Sequence, residues 1–267
     1  MERVKTGIPG FDELVEGGLP KGFNVLLAGA PGTGKTIFGL QYLYNGAKNG
    51  ENGIYVSLDS SEKRLKEQAL QFGWDFDGLK KNGNDKEGDV LFLEVPVDRV
   101  KVNLFDMIED AVKQVQAKRL VFDNLANFVI NSGQFVIPLN FVGDGSTSKD
   151  KFSRYLGSET QENMMKGRTL YNTAPPENLS LKRTTYLIIH ELGKLDTTNI
   201  LITFEKKGGG TMDEVSEFAA DGVVSMNLLA VGETLSRTIE VTKMRTTKID
   251  GGIKSYDIDK EGMKLIY

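Results

Sequence analysis

The sequence predicts an α/β fold, a mostly parallel sheet flanked by helices with a carboxy-terminal antiparallel extension. Two observations carry that prediction. A glycine-rich loop, Gly29-Ala30-Pro31-Gly32-Thr33-Gly34-Lys35-Thr36, joins the apolar run 25–28 to an amphipathic stretch beginning at Ile37, so a strand runs through a loop into a helix. Apolar periodicity then alternates between the strand and helix patterns along most of the chain and ends in short strands joined by turns.

Leu40, Leu43, Tyr44 and Ala47 share one helical face over 37–48, and Asn49-Gly50 with Asn52-Gly53 turn the chain into an apolar strand over 54–58. Such a βαβ unit demands parallel strands. Ser61 stands where it can cap a charged helix over 61–72, and a strand follows at 90–95, apolar except at Glu94. Leu104, Ile108, Ala111 and Val115 mark another amphipathic helix, which ends at Lys118-Arg119 before a strand at 120–122. Helical spacing returns from Ser180 to about Leu195 through Leu181, Ile188 and Leu192, and a buried strand follows at 200–204. The stretches 223–229, 237–244, 255–258 and 263–267 read as antiparallel strands. Residues 126–179 keep no sustained period and collect Gly133, Pro138, Gly143, Gly145, Gly157, Gly167, Pro175 and Pro176. They read as a long insertion in a single domain spanning 1–267, and loops of that length are usually functional or mobile.

Composition narrows the function. A chain of 267 residues is ample for one large α/β core. The absence of cysteine removes disulfides, thiolate metal sites and cysteine nucleophiles, and suits a reducing interior. With 33 Lys+Arg against 37 Asp+Glu, the net charge of −4 gives no global basic field of the kind that marks nonspecific nucleic-acid binding. Met1-Glu2-Arg3-Val4-Lys5 has no apolar run behind it, and no stretch approaches the ~18 apolar residues of a membrane span. A soluble, cytoplasmic protein with no membrane partner is expected.

The loop is a phosphate cradle. Its glycines let backbone N–H groups face oxyanions, Lys35 can reach the β- and γ-phosphates, and the Thr36 hydroxyl can sit on a magnesium ion. The dipoles of the following helix favour phosphate at the same place. Asp123 ends the apolar strand 120–122 at the carboxyl edge of the sheet, where open α/β sheets bind their ligands. From there it can hold magnesium beside Thr36.

Thr6-Gly7-Ile8-Pro9-Gly10-Phe11-Asp12-Glu13-Leu14, then Gly17-Gly18-Leu19-Pro20-Lys21-Gly22, then the phosphate loop, together resemble the opening of KaiC-type domains in the RecA superfamily of P-loop ATPases. Gln71-Phe72-Gly73-Trp74-Asp75, the Walker B strand at Asp123 and Lys243-Met244-Arg245-Thr246-Thr247 agree with it. The resemblance covers 3–125 and 180–267 and leaves the insertion unmatched. It implies a RecA-like core that binds ATP with Mg2+ and a homo-oligomer, commonly a hexameric ring with ATP at subunit boundaries. It further implies that Lys243 and Arg245 act on the neighbour's nucleotide, stabilising charge that develops on the γ-phosphoryl group, and that Glu205 is a polar sensor near the γ-phosphate. KaiC-like domains usually carry two adjacent carboxylates after the second strand to orient or activate water. Here Asp59 keeps one, shorter by a methylene, and Ser60 replaces the other. A catalytic group misplaced by ~1 Å can cost about a hundredfold in rate, so ATP binding is expected to survive while hydrolysis slows. Thr246 stands where the family usually has glycine, and the histidine that often follows soon after is absent. His190, the only histidine, reads as a helix-face residue.

Three functions stay open at this point. One is a magnesium-ATP-dependent enzyme in which water attacks the γ-phosphate with Asp59, Lys35, Asp123 and a neighbour's Lys243 and Arg245. Another is a recombination-accessory protein resembling RadA paralogues, with Lys206-Lys207-Gly208-Gly209-Gly210 as a loop touching single-stranded DNA. The third is a nucleotide-gated scaffold that hydrolyses little.

Overall fold

A computed structural model of the chain describes residues 1–79, 87–95, 104–132, 177–204, 211–231 and 234–266. In chain order the elements are β1 (Arg3–Val4), a 3-10 turn (Asp12–Val15), β2 (Leu19–Pro20), β3 (Asn24–Gly29), α1 (Lys35–Lys48), β4 (Gly53–Ser57), α2 (Glu62–Leu70) and β5 (Val90–Glu94). There follow α3 (Leu104–Val115), β6 (Arg119–Asp123), α4 (Leu125–Ser132), α5 (Glu177–Leu192), β7 (Thr198–Phe204), α6 (Thr211–Ala219), β8 (Gly222–Val231), β9 (Thr234–Met244), β10 (Lys254–Asp259) and β11 (Gly262–Ile266). β1 and β2 form a small antiparallel pair. The other nine strands make one sheet, ordered β11-β10-β9-β8-β3-β7-β6-β4-β5.

Six of them, from β8 to β5, run parallel, and β9, β10 and β11 alternate in direction along the other edge. The central parallel strands β3, β7, β6 and β4 are buried on both faces, as sheets covered by helices must be. Val25, Leu27, Tyr55, Val121, Ile200 and Ile202 point into one core with Phe38, Leu40 and Leu43 of α1 and Leu65 of α2. Leu26, Ile54, Val56, Leu120, Phe122 and Leu201 point into the other with Leu104 and Ile108 of α3, Phe128 of α4 and Ile188 and Leu192 of α5. Period-two alternation on each strand therefore feeds two separate layers. Ser61 caps α2, accepting from the Arg64 N–H at 3.4 Å.

The amino-terminal block is structural. The Asp12 carboxylate accepts from the Thr6 N–H (2.9 Å), the Thr6 hydroxyl (2.7 Å) and the Gly7 N–H (3.1 Å), which folds residues 6–12 into a closed turn. Asn45 of α1 donates to the Thr6 carbonyl at 3.1 Å, and Phe11 meets Phe38 edge to face at 5.2 Å. The turn thus clamps α1 to the sheet rather than meeting the phosphate loop.

The structure differs from the sequence expectation at several elements, among them the helix α6, which was not expected. β8 does not start an antiparallel tail; it pairs parallel to β3, Val25 facing Gly222 and Gly29 facing Met226. The cause is α6, which carries the chain back across the sheet before β8 and so reverses its direction. The antiparallel extension begins one strand later, at β9. Residues 126–132, read as the start of the insertion, belong to the helix α4, and the helix expected from 180 to 195 spans Glu177–Leu192. The remainder of the insertion lies outside the described residues.

β9 ends in a turn at which Thr246 adopts φ 55°, the left-handed region that a β-branched residue occupies only under strain. Thr246→Gly is expected to raise the unfolding free energy by about 1 kcal/mol, the left-handed penalty less the extra chain entropy of glycine. A higher urea midpoint at unchanged slope would show it.

Candidate functional site

The phosphate loop opens where β3 leaves the sheet. Gly32 and Gly34 have φ of 84° and 92°, so the loop curls in a way that side-chain-bearing residues resist. A Cβ on Gly34 would come within 2.6 Å of Ile258 Cδ1 and 3.3 Å of Met263 Cε; the β10–β11 hairpin thus backs directly onto the loop. Tyr256 donates its hydroxyl to the Thr33 carbonyl at 2.5 Å. Gln41 ties α1 to the same hairpin, donating to the Met263 carbonyl (3.1 Å) and accepting from its N–H (2.8 Å). The first helical bond of α1 runs from the Phe38 N–H to the Gly34 carbonyl at 2.9 Å. The N–H groups of Lys35, Thr36 and Ile37 consequently leave the helix end without intrahelical acceptors, and no side chain caps that end. Aligned amides at the positive pole of a helix are an anion site.

Lys35 is buried, and its ammonium donates to the Gly29 and Ala30 carbonyls at 2.8 and 2.9 Å with the Phe204 ring centroid 5.4 Å away. Burial pulls its pKa below the ordinary lysine value, partly offset by the charge of Asp123. Thr36 donates its hydroxyl to Asp123 Oδ2 at 3.0 Å, and Tyr55 donates to the same oxygen at 2.6 Å. Burial raises the Asp123 pKa, and the bonds from Tyr55 and Thr36 act in the opposite direction. The donor set is a hydroxyl and a carboxylate next to a phosphate cradle. No cluster of three or more His, Cys, Asp or Glu able to hold a metal occurs among the described residues. Hard oxygen donors in that small number fit Mg2+, which keeps waters and phosphate oxygens for its remaining positions.

Asp59 lies just past β4, exposed, two residues after the Ser57 that is level with Asp123. Its Oδ2 accepts from Asn124 Nδ2 at 2.8 Å, and Asn127 Nδ2 reaches both oxygens at 2.9 and 2.8 Å. The side-chain oxygen of Asn124, Oδ1, in turn accepts from the Asn127 N–H at 2.7 Å. One carboxylate is therefore held by two asparagines at the start of α4.

Lys243 and Arg245 stand at the opposite edge of the sheet. Met244 is level with Gly222 and, through β8, with Val25, whereas the loop departs after Gly29; about 13 Å of strand separates the two levels. Lys243 Nζ donates to the carbonyls of Glu217 (2.7 Å), Phe218 (3.1 Å) and Ala220 (2.7 Å) at the end of α6. Burial and the Arg245 charge lower its pKa. Arg245 donates to Asp221 Oδ1 at 3.1 Å and to the Phe218 carbonyl at 3.2 Å. A cleft of about 300 Å³ opens beside it, lined among others by Tyr186, His190, Phe218 and Asp221. His190 is exposed there on α5, stacked on Tyr186 with centroids 6.2 Å apart.

The chain thus gathers the loop residues 29–36, Asp123 and Asp59 at one edge, and keeps Lys243 and Arg245 away from them. Glu205 and the Lys206-Lys207 loop lie outside the described residues. Tyr55, Gln41, Tyr256, Asn124 and Asn127 were missed by sequence reasoning. Only the asparagines left a signal, since two of them three residues apart just after a strand-ending aspartate share one helical face. Arg237 was missed as well; it faces Tyr256 across β9 and β10, and its Nε is buried without an acceptor.

The sequence model of the KaiC ATPase family matches residues 4–136 and 175–267. A UPF0273 protein of Aeropyrum pernix is 30% identical, the alignment covering 100% of this chain and 94% of that protein. Circadian clock protein KaiC3 of Synechocystis is also 30% identical over 100% of this chain, which spans 46% of KaiC3. The crystal structure of a KaiC-like protein from Pyrococcus horikoshii superposes with a TM-score of 0.72 at 28% identity, covering 100% of this chain and 99% of that one. Among the described residues no helix is long and apolar enough to cross a membrane.

Proposed function

The chain belongs to the KaiC family of ATPases, and on that premise we propose that it is a slow, magnesium-dependent ATPase working as a homo-oligomeric, nucleotide-controlled switch. The observation that carries the reading is the bond from the Thr36 hydroxyl to Asp123 at 3.0 Å, made at the mouth of a loop whose helix end presents free amides. In this reading the amides of Gly34 to Thr36 and the Lys35 ammonium hold the triphosphate, and Thr36 and Asp123 hold Mg2+. The metal would supply charge neutralisation across the phosphates. Asp59 orients the attacking water, from a carboxylate whose direction is fixed by Asn124 and Asn127.

The oligomeric part rests on separation. Lys243 and Arg245 project from the amino edge while the loop opens at the carboxyl edge, so one chain does not bring both to one nucleotide. Packing the amino edge of one copy on the loop edge of the next does, and a heterologous contact of that kind generates a ring where its rotation closes. A hexamer is the closure proposed.

Slowness follows from Asp59 and Ser60. Restoring both carboxylates in Asp59→Glu with Ser60→Glu is expected to raise kcat at saturating ATP while leaving ATP affinity unchanged, because water activation is felt in the transition state. General-base assistance is worth roughly 10²–10⁴-fold, well above assay scatter. A parent enzyme that already turns over as fast as the double variant would show that Asp59 suffices and that the weak-hydrolysis reading is wrong.

A further inference from the structure

We propose that Tyr55 is a positioning residue for the metal-binding carboxylate, its hydroxyl fixing one oxygen of Asp123 and thereby the direction of the other. The inference rests on the MgATP reading above and names the group that makes its metal site stiff.

Tyr55 lies on β4, level with Val121 of the neighbouring β6, two residues below the Ser57 and Asp123 pair. Residues two apart on a strand share a face, so the tyrosine side chain rises along the sheet towards the carboxylate. Its hydroxyl ends 2.6 Å from Asp123 Oδ2. The ring has little freedom to leave. It stacks on Phe92 of β5 with centroids 5.8 Å apart and 19° between planes, and it packs beneath Gly39 of α1, where a Cβ would come 3.6 Å from Tyr55 Cε2 and 2.9 Å from Val121 Cγ1. The residue is fully buried.

Packing alone does not call for the oxygen, since phenylalanine would fill the same slot. The hydroxyl instead ends on a carboxylate, a charge-assisted bond to a group that burial would otherwise destabilise. The second anchor of the same oxygen is Thr36 at 3.0 Å, and the Thr36 oxygen is also the one offered to Mg2+. Tyr55 is thus the anchor that metal binding leaves alone, and it comes from a different strand.

The test compares wild-type protein and Tyr55→Phe by titrating ATP calorimetrically, once with excess EDTA and once with excess Mg2+. The ratio of the two affinities measures how strongly metal and nucleotide reinforce each other. With a charge-assisted bond lost, that ratio is expected to fall about tenfold, with the EDTA affinity within twofold of wild type and cooperative melting retained. A cycle with Asp123→Asn isolates the pair: in that background Tyr55→Phe should change the ratio no further. An unchanged ratio in Tyr55→Phe overturns the proposal, and so does a lower melting temperature with the ratio intact, which would mark Tyr55 as core filling alone. A wild type with no gain in affinity from Mg2+ would overturn the metal reading itself, and the assignment of Tyr55 with it.

Discussion

Arg245→Ala is expected to reduce turnover by about 10³-fold while ATP affinity stays within a few fold of wild type. The magnitude is that of an arginine supplied across an interface to a phosphoryl group in its transition state. Affinity is spared because the chain's own nucleotide loop lies at the other edge of the sheet, beyond the reach of this side chain. Misfolding is not a competing explanation. Arg245 is half exposed, and its bond to Asp221 is a surface ion pair worth about 0–1 kcal/mol. Mixing settles the geometry. Chains carrying Lys35→Ala and chains carrying Arg245→Ala should each be inactive alone and recover part of the wild-type rate together, because a mixed boundary can join an intact loop to an intact arginine. Full activity in Arg245→Ala, or a strict monomer in the presence of ATP at micromolar concentration, would remove the shared site.

How much of this was legible in the sequence depended on whether the signal was local. The loop, the strand before it and the helix after it were readable because glycine placement, apolar runs and helical spacing are properties of neighbouring residues, and β3 and α1 differ from the expectation only by a residue or two at their ends. Asp123 was readable for the same reason. The direction of β8 was not: an alternating apolar strand looks the same parallel or antiparallel, and the deciding element was the short helix α6. Nor was the setting of Asp59 legible. A lone carboxylate beside a serine reads as a defect in sequence, whereas in three dimensions Asn124 and Asn127 hold it from the start of α4. Tyr55 and Tyr256 read as ordinary strand residues, because the Tyr55 hydroxyl finds Asp123 only once β4 and β6 lie side by side, and the Tyr256 hydroxyl finds Thr33 only once the β10–β11 hairpin backs onto the phosphate loop. The amino-terminal block carried the family resemblance and little chemistry. Its Asp12 closes a turn that holds α1 in place, which is a reason for such a block to accompany the loop without touching phosphate.

Lys35→Ala carries the other large effect. The ammonium is the only side-chain cation within the loop, and it is already drawn in by the Gly29 and Ala30 carbonyls, which aims it along the loop rather than into solvent. A lysine bonded to phosphate contributes through charge-assisted hydrogen bonds, each worth about 1.5–3 kcal/mol, so truncation should weaken MgATP binding by roughly 10²-fold or more. The buried stem of Lys35 packs against the sheet end, and melting of the variant without nucleotide serves as the check on folding.

The claim that this chain binds MgATP through residues 29–36, with Asp123 holding the metal, is tested most directly by calorimetric titration of MgATP into the wild type and into Lys35→Ala under identical conditions. Saturable binding at one site per chain in the wild type, weakened by roughly 10²-fold or lost in the variant, is the predicted result. Equal affinity in the two proteins, or no binding to the wild type at millimolar MgATP, would contradict it.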